Sequence, residues 1–325
     1  ATAQGDIGLV ETAGDLRVGL VYSYTGDIGL TTRAGFILDA EGDSAADICG
    51  KNVTLAASSG TGSVSDFVDI ESAKLIASGL ADLYIREVTG DLVLDSALST
   101  SGNVFLTAAG AILDDSDSDA IDISAAGIVL VAGAGVGTSS NAIETDVSKL
   151  EGTIAGGMWL VNDGALTIGG ISGSVTGITA SGTMIVTALS PITVSENIYD
   201  TGSVTLTATE KAAAGDDLTV NSGVSITGSS VTLNAGDDVT LASGSTITAS
   251  SGAVVVNGDF GSLDDAGSTI NLLGSVNATS LDVNGNADHA GVDTVNVSLD
   301  LIGWTTATID TYDGADIVNV NSLNG

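Results

Sequence analysis

The densest group of chemically capable side chains lies between Asp114 and Asp122, in the sequence DDSDSDAID. Alternate carboxylates at Asp115, Asp117 and Asp119 follow an Asp-x-Asp-x-Asp pattern, and Asp122 closes the run. Hard cations bind several oxygen ligands at once, so this spacing is typical of the opening of a calcium loop. The glycine and the distal glutamate of an EF-hand are missing, so a solvated acidic turn is the alternative interpretation. A thinner version of the pattern occurs at Asp39, Asp43 and Asp47.

A second candidate cation site comes from two copies of a Gly-Asp-Asp sequence, which begin at Gly215 and Gly236. If the chain coils with that period, the carboxylates of one copy lie about 4.8 Å from those of the next. Like charges at that spacing repel by about 1 kcal/mol in water, and either a divalent cation such as Ca²⁺ or full solvation would relieve the repulsion. The four candidate ligands are Asp216, Asp217, Asp237 and Asp238.

The sequence offers few groups for catalysis. It contains one histidine, His289, and Lys211 is the only basic residue after position 150. Neither a Ser/His/Asp grouping nor a metal-spaced His/Cys set is visible. We therefore expect that the protein is not an enzyme, and a β-helical polysaccharide lyase is a distant alternative because such chemistry needs a base and sugar contacts.

The charge balance excludes other partners. The 325 residues carry a formal net charge of −34, with only seven lysines and arginines scattered along the chain. No basic stripe is available to neutralise nucleic-acid phosphates, and an anionic membrane surface would repel the chain. No apolar segment is long enough for a membrane span. The single cysteine, Cys49, has no partner for an intramolecular disulfide, and we expect a small buried residue there.

Internal repeats indicate how these residues are positioned. Residues 6–40 align with residues 82–115, which places Gly14 on Gly90. VDIESAKL at 68–75 corresponds to IETDVSKL at 143–150, and a third copy begins near position 158. A shorter period follows, because GDDLTV at 215–220 recurs as GDDVTL at 236–241, and DTVNV at 293–297 recurs as DIVNV at 316–320. We divide the chain into a long repeat at 5–80, a second at 81–156, a divergent third at 157–214, and short-period coils at 215–325.

This periodicity predicts an all-β fold, a single continuous parallel β-helix (β-solenoid) spanning 1–325. Short alternating strands return with the shorter period between Gly, Asn, Asp and Ser turns, and helical periodicity is nearly absent. The expected architecture has about 15 coils of roughly 20–25 residues. A narrow interior filled by Val, Ile, Leu and Ala explains why aromatic residues are only 3% of the chain. Asn296 and Asn319 share a place in the short repeat and are expected either to form an amide ladder or to occupy a corner, with a role in stability.

The phrases GNVFLTAAGAILDD, GALTIGG, SVTLTAT and VTLNAGDDVTLASGSTITAS resemble the repeat regions of giant bacterial filamentous-haemagglutinin-like proteins. The resemblance spans nearly the whole chain. It implies a right-handed solenoid and a secreted adhesin or matrix protein of the bacterial cell surface, in which the repeats form a stalk or fibre.

We therefore predict a structural element of an extracellular fibre, stalk or matrix. Its partners would be copies of itself stacked head to tail, or adjacent repeats of a longer chain. The alternative is an adhesin that binds carbohydrate or another surface component, such as a cell-surface or matrix polysaccharide. An adhesin needs a concentrated aromatic patch or long insertions, whereas the sequence separates its few aromatic residues. Tyr22, Tyr24, Trp159 and Trp304 are candidates for isolated sugar platforms, and packing at the ends of the interior or between coils explains them equally well.

Overall fold

The computed structural model describes residues 1–116, 118, 120–189, 191–211, 215–261, 263, 267–285, 291–302, 306–312 and 314–324. Within these residues the chain forms 35 β-strands and no helix. No helix there is long and apolar enough to span a lipid bilayer. The strands form because apolar and polar residues alternate: in Val204–Ala208, the side chains of Val204, Leu206 and Ala208 are buried while the intervening threonines are half-buried.

The strands stack in parallel as a β-solenoid of about 13 turns, which confirms the predicted fold class. The turns are slightly fewer than expected because coil length varies more than the sequence period suggests. A short coil pairs Met184 with Val204, whereas a much longer one pairs Val239 with Ile270. The chain divides into two compact units, residues 1–148 with 153–160 and residues 149–152 with 161–325. We call these the N-terminal and C-terminal units.

Two parallel ladders illustrate the N-terminal unit. In one of them Tyr22 pairs with Cys49, and Cys49 pairs with Glu71. In another, Leu83, Val104 and Ile128 follow one another from coil to coil. The strands of this unit are β1 (Thr2–Ala3), β2 (Ile7–Glu11), β3 (Leu16–Val18), β4 (Val21–Ser23), β5 (Ile28–Thr32), β6 (Ile37–Asp39), β7 (Ile48–Ala57), β8 (Val68–Gly79), β9 (Leu83–Glu87), β10 (Leu92–Ser99), β11 (Asn103–Ala108), β12 (Ile112–Asp114), β13 (Ile123–Ala125), β14 (Gly127–Ala132) and β15 (Ile143–Val147).

Two further strands, β16 (Lys149–Ile154) and β17 (Met158–Asn162), contain residues of both units. The remaining strands belong to the C-terminal unit: β18 (Leu166–Ile168), β19 (Ile178–Ala180), β20 (Met184–Ala188), β21 (Ile192–Val194), β22 (Ile198–Asp200), β23 (Val204–Ala208), β24 (Leu218–Val220), β25 (Ser225–Gly228), β26 (Val231–Ala235), β27 (Val239–Leu241), β28 (Thr246–Ala249), β29 (Ala253–Asn257), β30 (Thr269–Leu272), β31 (Ser275–Asn277), β32 (Ser280–Asn284), β33 (Thr294–Ile302), β34 (Thr306–Asp310) and β35 (Ile317–Asn324).

Three parallel ladders build the C-terminal unit. The first runs through β20, β23, β26, β29, β32 and β34. The second runs through β18, β21, β24, β27, β30, β33 and β35. The third runs through β19, β22, β25, β28, β31 and β33. Because the registers align, like side chains form rows inside the coils, as with Val204, Val231 and Val254, all almost fully buried.

Equivalent local structures recur in the two long repeats of the N-terminal unit. Gly62 and Gly137 have φ angles of 65° and 60°, in the left-handed region that favours glycine. A Cβ atom at either position would lie 2.5 Å from the carbonyl oxygen of Tyr84 or 2.4 Å from that of Trp159. Each glycine comes just before a short antiparallel bridge, which joins residues 63 and 66 in one repeat and residues 138 and 141 in the other. The two sequence segments therefore fold the same turn.

Candidate functional site

Acidic side chains at coil corners act as hydrogen-bond acceptors between successive coils. Each member of the set accepts a backbone N–H from a position 20 to 22 later in the sequence, at a distance of 2.7 to 3.3 Å. These carboxylates are those of Asp6, Asp15, Asp47, Asp82, Asp91, Asp122 and Asp217. They satisfy backbone donors where the strand ladders end, so part of the acidity has a structural use.

One corner gathers three buried carboxylates around an arginine. Asp39 and Asp47 are each 4% exposed, and Asp69 is fully buried. Both oxygens of Asp39 accept backbone N–H groups, from Glu41 at 2.7 Å and from residue 42 at 2.8 Å. The Arg86 guanidinium binds both oxygens of Asp69, with Nε 2.7 Å from Oδ1 and Nη2 bonded to Oδ2. We call Asp39, Asp47 and Asp69 the first cluster.

The ionisation of the first cluster reflects its burial. Burial, together with the charges of Asp39 and Asp69, raises the pKa of Asp47 to about 8. Burial also opposes ionisation of Asp39, but backbone N–H groups and a hydrogen bond from the Asp47 carboxyl hold its pKa below the ordinary value. At neutral pH the Asp47 carboxyl therefore holds a proton beside ionised Asp39, and Arg86 compensates Asp69.

A second corner brings together Asp114, Asp122 and Glu144, with one oxygen of each lying within 4.8 Å of the others. In the alignment of the two long repeats, these positions correspond to those of the first cluster, in the same order. Asp122 is 4% exposed and its Oδ2 accepts the N–H of Glu144 at 2.9 Å, just as Asp47 accepts the N–H of Asp69 at 3.0 Å. We call this set the second cluster.

The two clusters differ in how their charge is compensated. The ion pairs of Arg86 and Lys74 have Asp69, Asp95 and Asp115 as their acidic partners. In the sequence alignment, the position equivalent to Arg86 is Val161 of the divergent third repeat, which carries no charge. The guanidinium of the first cluster therefore has no equivalent at that sequence position.

Among the described residues, the Asp114 carboxylate accepts a backbone N–H through one of its two oxygens. It is 8% exposed, and its Oδ1 accepts the N–H of residue 116 at 3.0 Å. Its Oδ2 accepts no N–H group from the described part of the chain, and its neighbour there is the Asp122 carboxyl, which hydrogen-bonds to Asp114. Burial, followed by the charge of Asp114, a hydrogen bond with the Asp114 carboxylate and the charge of Glu144, raises the pKa of Asp122 to about 8. Asp114 and Asp122 are thus buried and Glu144 is half-buried, and one Asp114 oxygen is bonded to no N–H group of the described residues.

The structure divides the residues of the predicted calcium loop. Asp117 and Asp119 lie outside the described residues. Asp115 lies 3.0 Å from the Lys74 ammonium group, which also binds Asp95 at 2.9 Å. Asp122 instead belongs to the second cluster.

The thinner acidic pattern is divided in the same way. Asp39 and Asp47 meet in the first cluster, whereas Asp43 uses its Oδ1 to accept the N–H of Ala45 at 2.7 Å. Asp39 and Asp47 therefore come together at the coil corner, whereas Asp43 accepts a hydrogen bond within the local turn between them.

The Gly-Asp-Asp pairs stack one coil apart, since the adjoining Leu218 pairs with Val239. Their carboxylates accept backbone N–H groups: Asp237 Oδ2 from residues 215 and 216 at 2.5 and 2.8 Å, and Asp217 Oδ1 from Asp238 at 3.3 Å. Asp216 Oδ2 accepts the N–H of residue 211 at 2.6 Å, and Asp238 Oδ1 accepts that of residue 269 at 2.6 Å. Backbone amides therefore occupy several of the oxygens that the sequence suggested for a cation.

Asparagine side chains form two amide ladders in the C-terminal unit. Asn319 donates to Asn296 and Asn296 donates to Asn271, each at 2.9 Å, which confirms the predicted ladder. The second ladder was not predicted; its members are Asn234, Asn257 and Asn284, linked at 2.7 and 2.8 Å. Both ladders connect coils through side chains, in addition to the backbone hydrogen bonds.

The aromatic residues are less dispersed than the sequence implies. Tyr84 stacks on Phe105 with ring centroids 4.3 Å apart, and Phe67 meets Tyr84 edge to face at 5.4 Å. The expectation of scattered aromatics is therefore wrong for these three, because the pairing of β9 with β11 places Phe105 beside Tyr84 in the next coil. Tyr22 and Tyr24 form another edge-to-face pair at 4.8 Å.

The tyrosine pair lies in an open groove of about 520 Å³ in the N-terminal unit. Glu71, Glu87 and Cys49 also line this groove, and Tyr24 is 60% exposed. Burial, followed by the charges of Glu71 and Glu87, raises the pKa of the Cys49 thiol. Cys49 is half-buried, more exposed than the sequence interpretation expected. The groove offers a ring face and acceptor oxygens, which are the features that sugar hydroxyls use.

Two residues discussed from the sequence, His289 and Trp304, lie outside the described residues, and Trp159 is half-buried. Sequence reasoning missed Asp69, Asp114 and Glu144 as cluster members. The alignment of the two long repeats could have identified them, because it places each residue of the first cluster on the corresponding residue of the second.

No protein-family model, curated protein or solved structure matches this chain.

Proposed function

We propose that the chain is a structural element of a bacterial extracellular fibre, stalk or matrix, in which its coils stack on further coils. The partner is a second copy of the chain or an adjacent repeat of a longer one. The resemblance to filamentous-haemagglutinin-like repeats supports this proposal, as does the β-solenoid fold.

The observation that carries the proposal is the exposed apolar edge of β35. Val318 and Val320 are 46% and 54% exposed. Their ladder partners one coil earlier, Val295 and Val297, are 0% and 4% exposed. An additional coil on β35 would bury the two valines, and an unpaired strand edge is a template for pairing with another chain.

Sedimentation velocity and electron microscopy of the purified protein test this proposal. Association is expected to increase with concentration and with salt, because 1 M salt shortens the Debye length to about 3 Å and screens the negative charge. The substitutions Val318→Lys and Val320→Lys should abolish association. Val64→Lys is the matched control, because Val64 is 76% exposed but lies in a turn. A wild-type chain that stays monomeric at all concentrations and salt levels would count against self-stacking.

A tandem fusion of two copies tests the longer-chain arrangement. Hydrogen exchange in Ile317–Asn324 of the first copy should slow relative to the single chain, because a following coil pairs with that edge. Unchanged exchange would contradict stacking within one chain.

The alternative function is carbohydrate binding by an adhesin, favoured by the Tyr22 and Tyr24 groove. A glycan array and calorimetry with any bound sugar would test it. Tyr24→Ala should weaken binding about tenfold or more, consistent with the loss of about 1.5 kcal/mol from a stacked ring. Tyr199→Ala is the control, since Tyr199 is 52% exposed and belongs to the C-terminal unit. Equal loss in both variants, or no glycan bound, would exclude the groove.

A further inference from the structure

We propose that Asp114, Asp122 and Glu144 bind one calcium ion, which serves the second cluster as Arg86 serves the first. This inference does not depend on the proposed function. It rests on the geometry of the two clusters and on the buried Asp114 oxygen.

Asp114 provides the observation that points to a ligand. Its carboxylate is 8% exposed, and Oδ2 accepts no N–H group among the described residues, where the Asp122 carboxyl is its hydrogen-bonded neighbour. A buried carboxylate oxygen without a partner is costly, so this oxygen requires a proton or a cation. It belongs to a group whose ligand atoms lie within 4.8 Å of one another. Oxygens at this separation can bind a single ion placed between them.

The first cluster shows how the negative charge of the equivalent carboxylates is compensated elsewhere in the chain. There, Oδ1 and Oδ2 of Asp39 both accept backbone N–H groups, and a guanidinium binds Asp69 at two points. Asp114 and Glu144 replace Asp39 and Asp69 in the second cluster, and a valine stands at the position equivalent to Arg86. The same arrangement of acids therefore recurs without its arginine.

The ligand atoms select the class of cation. All three residues are carboxylates, and Ca²⁺ binds carboxylate oxygens in flexible coordination, completed by water. Mg²⁺ demands a tighter octahedron and releases water reluctantly. Zinc favours histidine and cysteine, which are absent from this set of ligands. Calcium is therefore the expected ion.

The test uses the full chain after chelator treatment and dialysis, with Ca²⁺ binding followed by isothermal titration calorimetry. The wild type should show one saturable site above the weak binding expected of an acidic surface. Asp122→Asn should reduce its affinity at least about tenfold, since one charged ligand is lost. Asp47→Asn is the matched control at the equivalent position of the first cluster and should leave this site unchanged.

A converse variant tests the equivalence of the clusters. Arg86→Met removes the guanidinium and should add a second calcium site formed by Asp39, Asp47 and Asp69. Circular dichroism establishes that each variant is folded, and Glu144→Gln provides a second test if Asp122→Asn is not.

Three outcomes would count against the proposal. Absence of a saturable wild-type site would mean that a proton, rather than a cation, satisfies the Asp114 oxygen. Wild-type affinity in both second-cluster variants would place the ion elsewhere on the chain. A single site in folded Arg86→Met would overturn the role assigned to the arginine.

Discussion

Asp47 and Asp122 occupy the same place in equivalent coils of the two long repeats: Oδ2 of each accepts the backbone N–H of the acidic residue one coil later. Each is 4% exposed, and each interacts with a second carboxylate, that of Asp39 or Asp114. One contact thus joins adjacent coils while burying an acid. Its energetic consequence depends on pH, because a buried carboxyl is stabilised in its protonated form.

Asp47→Asn should remove part of the pH dependence of stability. The pKa of Asp47 is raised from 3.8 to about 8, so the folded state binds the proton more tightly than the unfolded state. Its contribution to stability is complete below about pH 4, decreases as the pH rises, and is lost above about pH 8. Asparagine mimics the protonated acid, so the variant should melt a few degrees above the wild type at pH 9.

Thermal melts between pH 4 and 9 would check this expectation, with Asp6→Asn as the control. Asp6 makes the same kind of coil bridge at an exposed corner. If both substitutions shift the melting temperature by the same amount at every pH, the burial of Asp47 is not the source of the pH dependence of stability.

Leu233→Ala should destabilise the C-terminal unit locally. Leu233 is fully buried between Leu206 and Val256 of the neighbouring coils. Truncation of a buried leucine costs about 2–5 kcal/mol of unfolding free energy. In a repeat protein this loss destabilises mainly the coil that carries the substitution and the coils that contact it. Hydrogen exchange should accelerate in β23, β26 and β29 more than in distant strands. Thr232→Ala, at the adjacent half-buried position, is the control. If both substitutions accelerate hydrogen exchange equally, the stacked rows of buried aliphatic side chains are not what stabilises these strands.

Asn257→Ala should cost more stability than Asn284→Ala. Asn257 donates to Asn234 and accepts from Asn284, whereas the amide ladder gives Asn284 only the bond to Asn257. Each hydrogen bond contributes about 0.5–1.5 kcal/mol, so the two variants should differ by about one such increment. Urea denaturation of both proteins measures the difference. Identical midpoints would indicate that the ladder adds nothing beyond side-chain packing.

Cys49 should react slowly with iodoacetamide near neutral pH. Burial and the charges of Glu71 and Glu87 raise the pKa of its thiol, so less of the reactive thiolate is present than in an unfolded chain. Glu71→Gln should accelerate labelling at pH 8, and the urea-unfolded protein gives the unperturbed rate. A folded rate equal to the unfolded one would contradict the shift.

Some contacts could be predicted because similar residues recur at a fixed offset. The pairing of Leu218 with Val239 follows the recurrence of the Gly-Asp-Asp sequence, and the bond between Asn319 and Asn296 follows the recurrence of Asp-x-Val-Asn-Val. Each recurrence is one coil long, so the repeated residues fall on top of one another.

The second cluster could not be predicted in the same way. Contact between Asp114 and Glu144 depends on the lengths of two intervening segments, and coil length varies along the chain, as the pairings of β20 with β23 and of β27 with β30 show. A one-residue change in register turns a side chain to the opposite face. Acidic residues that are close in the sequence can therefore separate, as Asp115 and Asp122 do, while distant ones meet.

The aligned ladders also bear on how such a gene can change. Each coil presents to the next the same rows of backbone donors and aliphatic side chains, as between Val204, Val231 and Val254. An unequal recombination that removes or duplicates one whole coil leaves every remaining strand beside a compatible neighbour. A single-codon insertion inside a strand has the opposite effect, because it turns the following buried residues outward. The protein can therefore gain or lose whole turns without disrupting its fold. Within a turn, by contrast, the number of residues in each strand is tightly constrained.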